Sequence, residues 1–459
     1  MKRRAPAWTL VATSFGLGMA LLDVTAGNVA VPSIQTSLNT DLRGLSWVID
    51  GYTLSFASLL LLAGGLADRL GAKRLFTTGL VVFTAASAAC GLAPDAPSLI
   101  VARVAQGMGA ALFMPSSLSI LGRAYPDPRR RAQAIGVWSS LTAIAGASGP
   151  VVGGLLVATL GWRSIFLINV PIGIAGSLLA LWALPPAPAT ARRSLDLGAQ
   201  VVGAIALATF TWALIERAPR GWGSPPVVAA LLVSVASGAL FIALERRAKH
   251  PMLPLELFES RAFSTTSAGA LLYAAAFFGG LLVLSLYFQN IRGESAALAG
   301  LHLTAITVTF GLTSIVAGRL AGRYGPRRPI LAGLAVLAIS AFALSTIATH
   351  TSFAALGPAL ALTGLGAGLV APPMNAAILA SVPGTHAGMG SGVLNASRQI
   401  GTAFGVAVFA SFFHSGAPLA AVHLAMACAG TLYVASLAVV ALAPGGLALS
   451  QFLGATPAE

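Results

Sequence analysis

The 459-residue sequence predicts an all-α polytopic membrane protein with fourteen transmembrane helices, arranged as two six-helix bundles plus two extra central spans. Hydrophobic residues make up 56% of the chain and charged residues 9%, which leaves too little polar surface for a soluble domain. The apolar residues fall into runs of membrane-spanning length, about 20 residues each. A large unit is also repeated. Gly64-Gly65-Leu66-Ala67-Asp68-Arg69-Leu70-Gly71-Ala72-Lys73-Arg74 returns as Gly318-Arg319-Leu320-Ala321-Gly322-Arg323-Tyr324-Gly325-Pro326-Arg327-Arg328, at an offset of 254. Gly107 returns as Gly364 and Gly136 as Gly392, at offsets of 257 and 256. Three near-equal offsets in one order mark a duplication.

In chain order the spans are 8–31, 47–67, 75–92, 98–121, 132–156, 163–184, 196–216, 226–244, 264–289, 296–318, 329–348, 353–379, 388–412 and 418–443. They are read as helices, because lipid offers no partner for backbone polar groups and a barrel would show short alternating strands. The first follows Met1-Lys2-Arg3-Arg4 in the manner of a signal peptide. Its apolar run continues to Val31, with no small-residue cleavage site before Asp23, so it is expected to be retained. The second and third flank the repeated loop. The fifth follows Arg129-Arg130-Arg131, and the sixth opens on Trp162-Arg163. Only His414-Ser415-Gly416-Ala417-Pro418 separates the last two. Six short-looped helices need roughly 200 residues, so the repeat offset leaves room for two further spans. These lie between Pro185-Pro186-Ala187-Pro188 and the polar stretch from Glu245 to Arg261. The expected organisation is an N-terminal bundle over 1–190, two inserted spans over 191–262 and a C-terminal bundle over 263–459.

The formal net charge of +14 reflects topology rather than nucleic-acid binding, because the basic residues sit in short clusters between apolar runs. With both termini inside, twenty of the 27 Lys and Arg residues fall in cytoplasmic segments and five outside, while Arg103 and Arg398 lie within the membrane. Trp8, Trp47, Trp162, Trp182 and Trp222 fall at span ends, the level that amphipathic rings prefer. The expected location is the plasma (inner) membrane with both termini cytoplasmic. Cysteine labelling in intact cells is expected to leave the 68–74 and 319–328 loops unmodified by an impermeant reagent; labelling of either from outside would overturn the topology. Cys90 and Cys428 lie in apolar runs without metal-ligand spacing, so neither a metal site nor a cofactor is expected.

An ionisable group inside the membrane costs on the order of 3 kcal/mol and is a functional candidate by default. Asp23 lies about 21 Å along an ascending helix, hence about 9 Å from the outer edge of the core, and Arg103 lies about 8 Å down a descending one. Their depths match, so they can pair. Asp50, about 6 Å from the outer end of its span, either contributes to proton coupling or snorkels to the interface. Arg398, near the midplane beside Asn395 and Gln399, either lines a cavity or bonds backbone carbonyls. His302 and His423 are read as interfacial. Around Asp68, Gly65 and Gly71 permit a tight turn and close helix approach, while the carboxylate can bond helix ends or pair with a neighbouring cation. That suits a gate latch. Arg69, Lys73 and Arg74 serve the gate or simply anchor the loop inside. Gly136, Gly146, Gly149, Gly153 and Gly154 give the fifth helix a small-residue face, and Pro150 allows a kink.

Together these residues resemble the major facilitator superfamily, and within it the fourteen-span drug/proton antiporter family (EmrB/QacA-type multidrug efflux transporters). The repeated loop resembles the superfamily signature. The antiporter resemblance rests on Leu22-Asp23-Val24-Thr25-Ala26-Gly27-Asn28-Val29-Ala30-Val31-Pro32, on Arg103 with Gln106-Gly107, on Gly149-Pro150-Val151-Val152-Gly153-Gly154, and on Trp162-Arg163 with Phe166, Asn169 and Pro171. It implies a major facilitator fold and a fifth-helix motif that seals against proton leak. Ala145 stands where the family pattern has glycine, and Val406 stands opposite Pro150 in the second copy, so only the first half carries that motif.

The function this implies is a proton-coupled exporter of small amphipathic compounds, cationic ones included. It would work by alternating access around a central cavity. Candidate lining residues are Asn28, Trp138, Tyr273, Phe277, Tyr287, Gln289, Asn395 and Arg398. Protons, substrate and the lipid bilayer are the expected partners; nucleic acid is not, and any periplasmic or outer-membrane partner goes unnamed by the sequence. Export of one self-made metabolite is the alternative. A polytopic intramembrane enzyme is the remote one, since no paired histidines, acidic pair or GxSxG stands at membrane depth.

Overall fold

A computed structural model describes residues 6–40, 42–184, 197–248, 251, 255–294, 296–413 and 417–442. The linker Pro185-Pro186-Ala187-Pro188 and most of the turn at His414-Ser415-Gly416-Ala417-Pro418 fall outside them. In chain order the helices are α1 (Pro6–Leu38), α2 (Leu42–Leu70), α3 (Ala72–Leu92), α4 (Ala96–Ala124), α5 (Pro128–Leu160), α6 (Arg163–Leu167), α7 (Asn169–Ala183), α8 (Leu197–Arg220), α9 (Pro225–Arg247), α10 (Arg261–Leu286), α11 (Ala296–Tyr324), α12 (Arg327–Leu344), α13 (Phe353–Ala380), α14 (Ala387–Phe412) and α15 (Pro418–Ala441).

Among the described residues, eleven helices are long and apolar enough to cross a membrane, or twelve if the bent α2 is one span. The expected sixth span is the pair α6 and α7, broken at Ile168, and α2 bends by 53° between Trp47–Leu60 and Leu62–Leu70. Two further long helices fall outside that set: α8, whose apolar stretch is the shorter Val201–Leu214, and α14. Large apolar side chains such as Val101, Val151, Leu155, Leu232, Val235 and Leu312 point outward, as helices solvated by lipid require. The carboxylate of Asp95 accepts the Ser98 amide at 2.9 Å, capping the start of α4.

The chain forms two compact units. The first comprises Met1–Ala124, Ile144–Leu255 and Gly384–Val393; the second comprises Tyr125–Ala143, Glu256–Pro383 and Leu394–Glu459. Each unit therefore takes a short segment from the other sequence repeat. The duplicated glycines explain how. In the first unit a Cβ at Gly64 would stand 2.7 Å from the Gly388 carbonyl oxygen and 3.1 Å from the Gly392 Cα, so bare backbone is needed for α2 and α14 to cross. In the second unit a Cβ at Gly136 would stand 2.6 Å from the Ser314 carbonyl oxygen and 2.9 Å from the Gly318 Cα. Gly64 and Gly318 are repeat equivalents, as are Gly136 and Gly392. One crossing is thus built twice. Gly71 and Gly325, also equivalents, have φ of 92° and 82°, a left-handed conformation that side chains resist.

The pair α8 and α9 packs within the first unit. Phe241 closes on Gly203, and the Ser234 hydroxyl donates to the Ala206 carbonyl at 2.9 Å. The buried carboxylate of Glu216 on α8 accepts the Trp47 indole N–H at 3.1 Å and the Arg220 Nε–H at 2.6 Å, which ties α8 to α2.

Candidate functional site

In the first unit, four helices bring polar side chains to one buried point. Asp23 on α1 is 1% exposed. Its Oδ2 accepts from Arg103 Nη1 at 2.5 Å, and its Oδ1 accepts from Gln106 Nε2 at 2.9 Å and from Asn169 Nδ2 at 2.7 Å. The matched depths expected of Asp23 and Arg103 end in a direct ion pair. Arg103 and Gln106 are three residues apart on α4, which puts both on one helical face, and Arg103 Nη1 also donates to Gln106 Oε1 at 2.6 Å. Ser87 on α3 receives Gln106 Nε2 at 2.7 Å and Asn169 Nδ2 at 3.4 Å. Arg103 Nε donates to the Val48 carbonyl at 3.1 Å, and its guanidinium lies 4.6 Å from the Tyr52 ring centre and 5.6 Å from that of Phe166.

This arrangement suits an ionised carboxylate, because every described side chain bonded to Asp23 donates to it. A narrow cleft lined by Val24, Gly27, Ile34, Tyr52, Arg103 and Phe166 reaches the Arg103 side of the pair.

Ser87, Gln106 and Asn169 complete the site beyond Asp23 and Arg103. Gln106 and Asn169 stand in motifs visible in the sequence, but a serine within an apolar run carries no signal. Asp50 is half-buried on α2 and has no described bond to Asp23. The side chains of Asn28 and Pro150 lie outside the described residues.

At the far end of α2, Asp68 is buried and accepts the Gly388 N–H at 2.8 Å and the Met389 N–H at 2.7 Å. Of the two partners expected, the helix end is bonded directly, and a cation, Arg123, also lies within electrostatic reach. The two N–H groups are orphan donors at the start of α14, where a negative charge is favoured. The second copy has no such bond: a Cβ at Gly322 would stand 3.0 Å from the Arg129 carbonyl oxygen, so backbone closes up where a side chain would otherwise stand. Lys73 Nζ donates to the carbonyls of Leu181 at 2.9 Å and Leu184 at 2.6 Å, capping α7. Gly65 and Gly71 are buried, Arg69 is half-buried and Arg74 is exposed.

The fifth-helix glycines separate into two classes. A Cβ at Gly149 would collide with the Thr25 hydroxyl, and one at Gly153 would stand 2.9 Å from the Ala26 Cα; these two set α5 against α1. Gly154 has nothing within 4 Å of its Cβ position, and so takes no part in that contact.

The expected cavity residues also divide. Trp138 is buried, and its indole N–H has no described partner. Tyr273 stacks on Phe277 with ring centres 5.6 Å apart and lies 6.5 Å from the Tyr433 ring. Tyr287 is fully buried, and its hydroxyl donates to the Ala348 carbonyl at 2.7 Å. Gln289 is exposed and donates to the Ser285 hydroxyl at 2.8 Å. Both belong to the π-turn Tyr287–Ile291 that ends the expected ninth span. Asn395 is buried. Arg398 donates to Asn375 Oδ1 at 2.9 Å and to the Ala371 carbonyl at 3.2 Å. His302 pairs with Glu294 at 3.0 Å, and His423 bonds the Ile347 carbonyl at 2.7 Å.

Residues 13–405, and again 266–452, match the family described as Major Facilitator Superfamily. Among curated relatives, the methylenomycin A resistance protein of Streptomyces coelicolor is 41% identical over 406 residues, covering 88% of this chain and 85% of that protein. The multidrug resistance protein Stp of Mycobacterium tuberculosis is 37% identical over 403 residues, covering 88% and 75%. Among solved structures, the human organic anion transporter MFSD10 (TETRAN) superposes with a TM-score of 0.71 at 15% identity, over 95% of this chain and 99% of that one. That last likeness is one of fold alone.

Proposed function

The chain belongs to the Major Facilitator Superfamily, and from that premise we propose that it is a proton-coupled exporter of small amphipathic toxic compounds. In this reading it spans the plasma (inner) membrane fourteen times, with α8 and α14 as spans and both termini cytoplasmic. The observation that carries the proposal is the buried Asp23 carboxylate, held at membrane depth by donors from Arg103, Gln106 and Asn169. Support also comes from relatives named for resistance to methylenomycin A and for multidrug resistance.

The proposed cycle follows from the chemistry of that network. A proton from outside neutralises Asp23, its donors let go, and the carrier returns to the inward-facing state, where the proton leaves and substrate enters. Asp68, bonded to the start of α14, acts as a latch that holds one state and lets go in the other. Gly322 makes the latch one-sided.

The test is expression in an efflux-deficient host, scored against a broad panel of toxic compounds with and without a collapsed proton gradient. Raised tolerance that vanishes with the gradient is expected. No change for any compound would overturn the reading. A second reading, export of a single metabolite, is favoured by the relative named for one antibiotic; tolerance confined to one chemical scaffold would select it.

A further inference from the structure

The two arginines that stand inside the membrane are treated differently by their surroundings. Arg103 meets the carboxylate of Asp23. Among the described residues Arg398 meets none: between Glu294 and Glu459 the sequence contains no Asp or Glu, and none lies between Glu259 and Glu294. The helices around Arg398, namely α10, α13, α14 and α15, therefore hold no acidic residue. Its described partners are the neutral Asn375 and the Ala371 carbonyl. Its Nε is buried and has no hydrogen-bond partner among the described residues. Tyr273 is the one described ionisable side chain within electrostatic reach.

The position is built rather than incidental. A Cβ at Gly401 would strike the Leu271 carbonyl oxygen, and one at Gly405 would strike that of Ala275. These glycines lie three and seven residues after Arg398, on the same helical face, so they draw α14 to backbone contact with α10 and bring Arg398 up beside it. Tyr273 sits on that stretch of α10, stacked on Phe277 and close to Tyr433. A narrow apolar cleft lined by Phe277, Tyr433 and Met426 opens next to them. A cation with unspent planar donors thus stands next to an aromatic wall.

A buried cation lacking its counter-ion is strongly unfavourable, whereas a guanidinium with free donors fits a carboxylate in bidentate fashion. We propose that Arg398 is the recognition site for a carboxylate carried by the exported compound, whose apolar body packs on Tyr273, Phe277 and Tyr433. The proposal deepens the exporter reading and rests on it: the preferred substrates are amphipathic acids, and the anion missing beside Arg398 arrives with the substrate.

The experiment uses the full-length protein in lipid nanodiscs and matched pairs of aryl and alkyl acids with their carboxamides, 1-naphthylacetate and 1-naphthylacetamide first, read by binding affinity. Wild type is expected to bind the acids about tenfold or more tightly than the amides. In Arg398→Gln the acid preference should be lost, the acids falling to the level of the amides, and Arg398→Lys should retain part of it. Equal binding of acids and amides across the panel overturns the proposal, as does an acid preference that survives Arg398→Gln. Chloride that erases the preference at millimolar concentration would mark an inorganic anion site and also overturn it. Should Arg398→Gln fail to fold, the wild-type ratio and Arg398→Lys decide. Efflux measured in parallel separates the two readings: export of amides without acid preference defeats this inference alone, and export of neither series defeats the exporter reading with it.

Discussion

Asp23→Asn is expected to abolish uphill, proton-driven export while leaving downhill exchange measurable. The substitution keeps the shape and depth of the side chain but removes the group that titrates, and the described network around Asp23 contains no second carboxylate. It also leaves Arg103 as a buried cation without its partner, at a cost of about 3–5 kcal/mol. A loss of transport could therefore reflect a weakened fold rather than lost coupling. The double variant Asp23→Asn with Arg103→Gln resolves this, because the site is then neutral and can be bonded throughout by amides. It is expected to regain stability without regaining driven transport. The measurement is substrate accumulation in inverted vesicles under an imposed pH gradient, with counterflow at equal pH as the check on binding. Undiminished accumulation in Asp23→Asn would exclude it as the proton carrier and turn attention to Asp50.

That site was legible in the sequence to the extent that helix geometry alone could place it. A rise per residue and a count from each span end gave Asp23 and Arg103 the same depth, and they form an ion pair at 2.5 Å. The repeat offsets likewise foreshadowed the two glycine crossings, Gly64 with Gly392 and Gly136 with Gly318. What stayed hidden depends on contacts between distant helices. Ser87 resembles any small residue in an apolar run until Gln106 and Asn169 are seen to donate to it. Tyr287 and Gln289 read as cavity candidates because aromatic and amide side chains suit a binding site, and the π-turn that ends their helix carries no signal in the sequence. For Arg398 the sequence left cavity lining and carbonyl bonding as alternatives. The structure supplies the bonds to Asn375 and to the Ala371 carbonyl together with an Nε that has no partner among the described residues, so these partners do not use up the guanidinium.

The fifth helix provides the second large effect, and it has an internal control. Gly149 and Gly153 are four residues apart, on one face of α5, and that face lies against Thr25 and Ala26 on α1. Thr25 cannot readily turn aside, because its hydroxyl already donates to the Leu21 carbonyl at 2.7 Å. A leucine at 149 must therefore push α1 away from α5, a strain of about 1–3 kcal/mol for overpacking of this kind. The displaced stretch begins two residues beyond Asp23, so the shift reaches the ion pair with Arg103. Gly149→Leu is expected to insert normally yet lose coupling, with substrate-driven proton movement in vesicles strongly reduced or replaced by a passive leak. Gly154→Leu carries the same side chain five residues further along, on another face of α5 where nothing stands within 4 Å of the added Cβ, and it should couple like the wild type. Normal coupling in Gly149→Leu would reduce the glycine pair to plain helix packing, whereas equal loss in both variants would assign the effect to added bulk in the membrane rather than to the contact with α1.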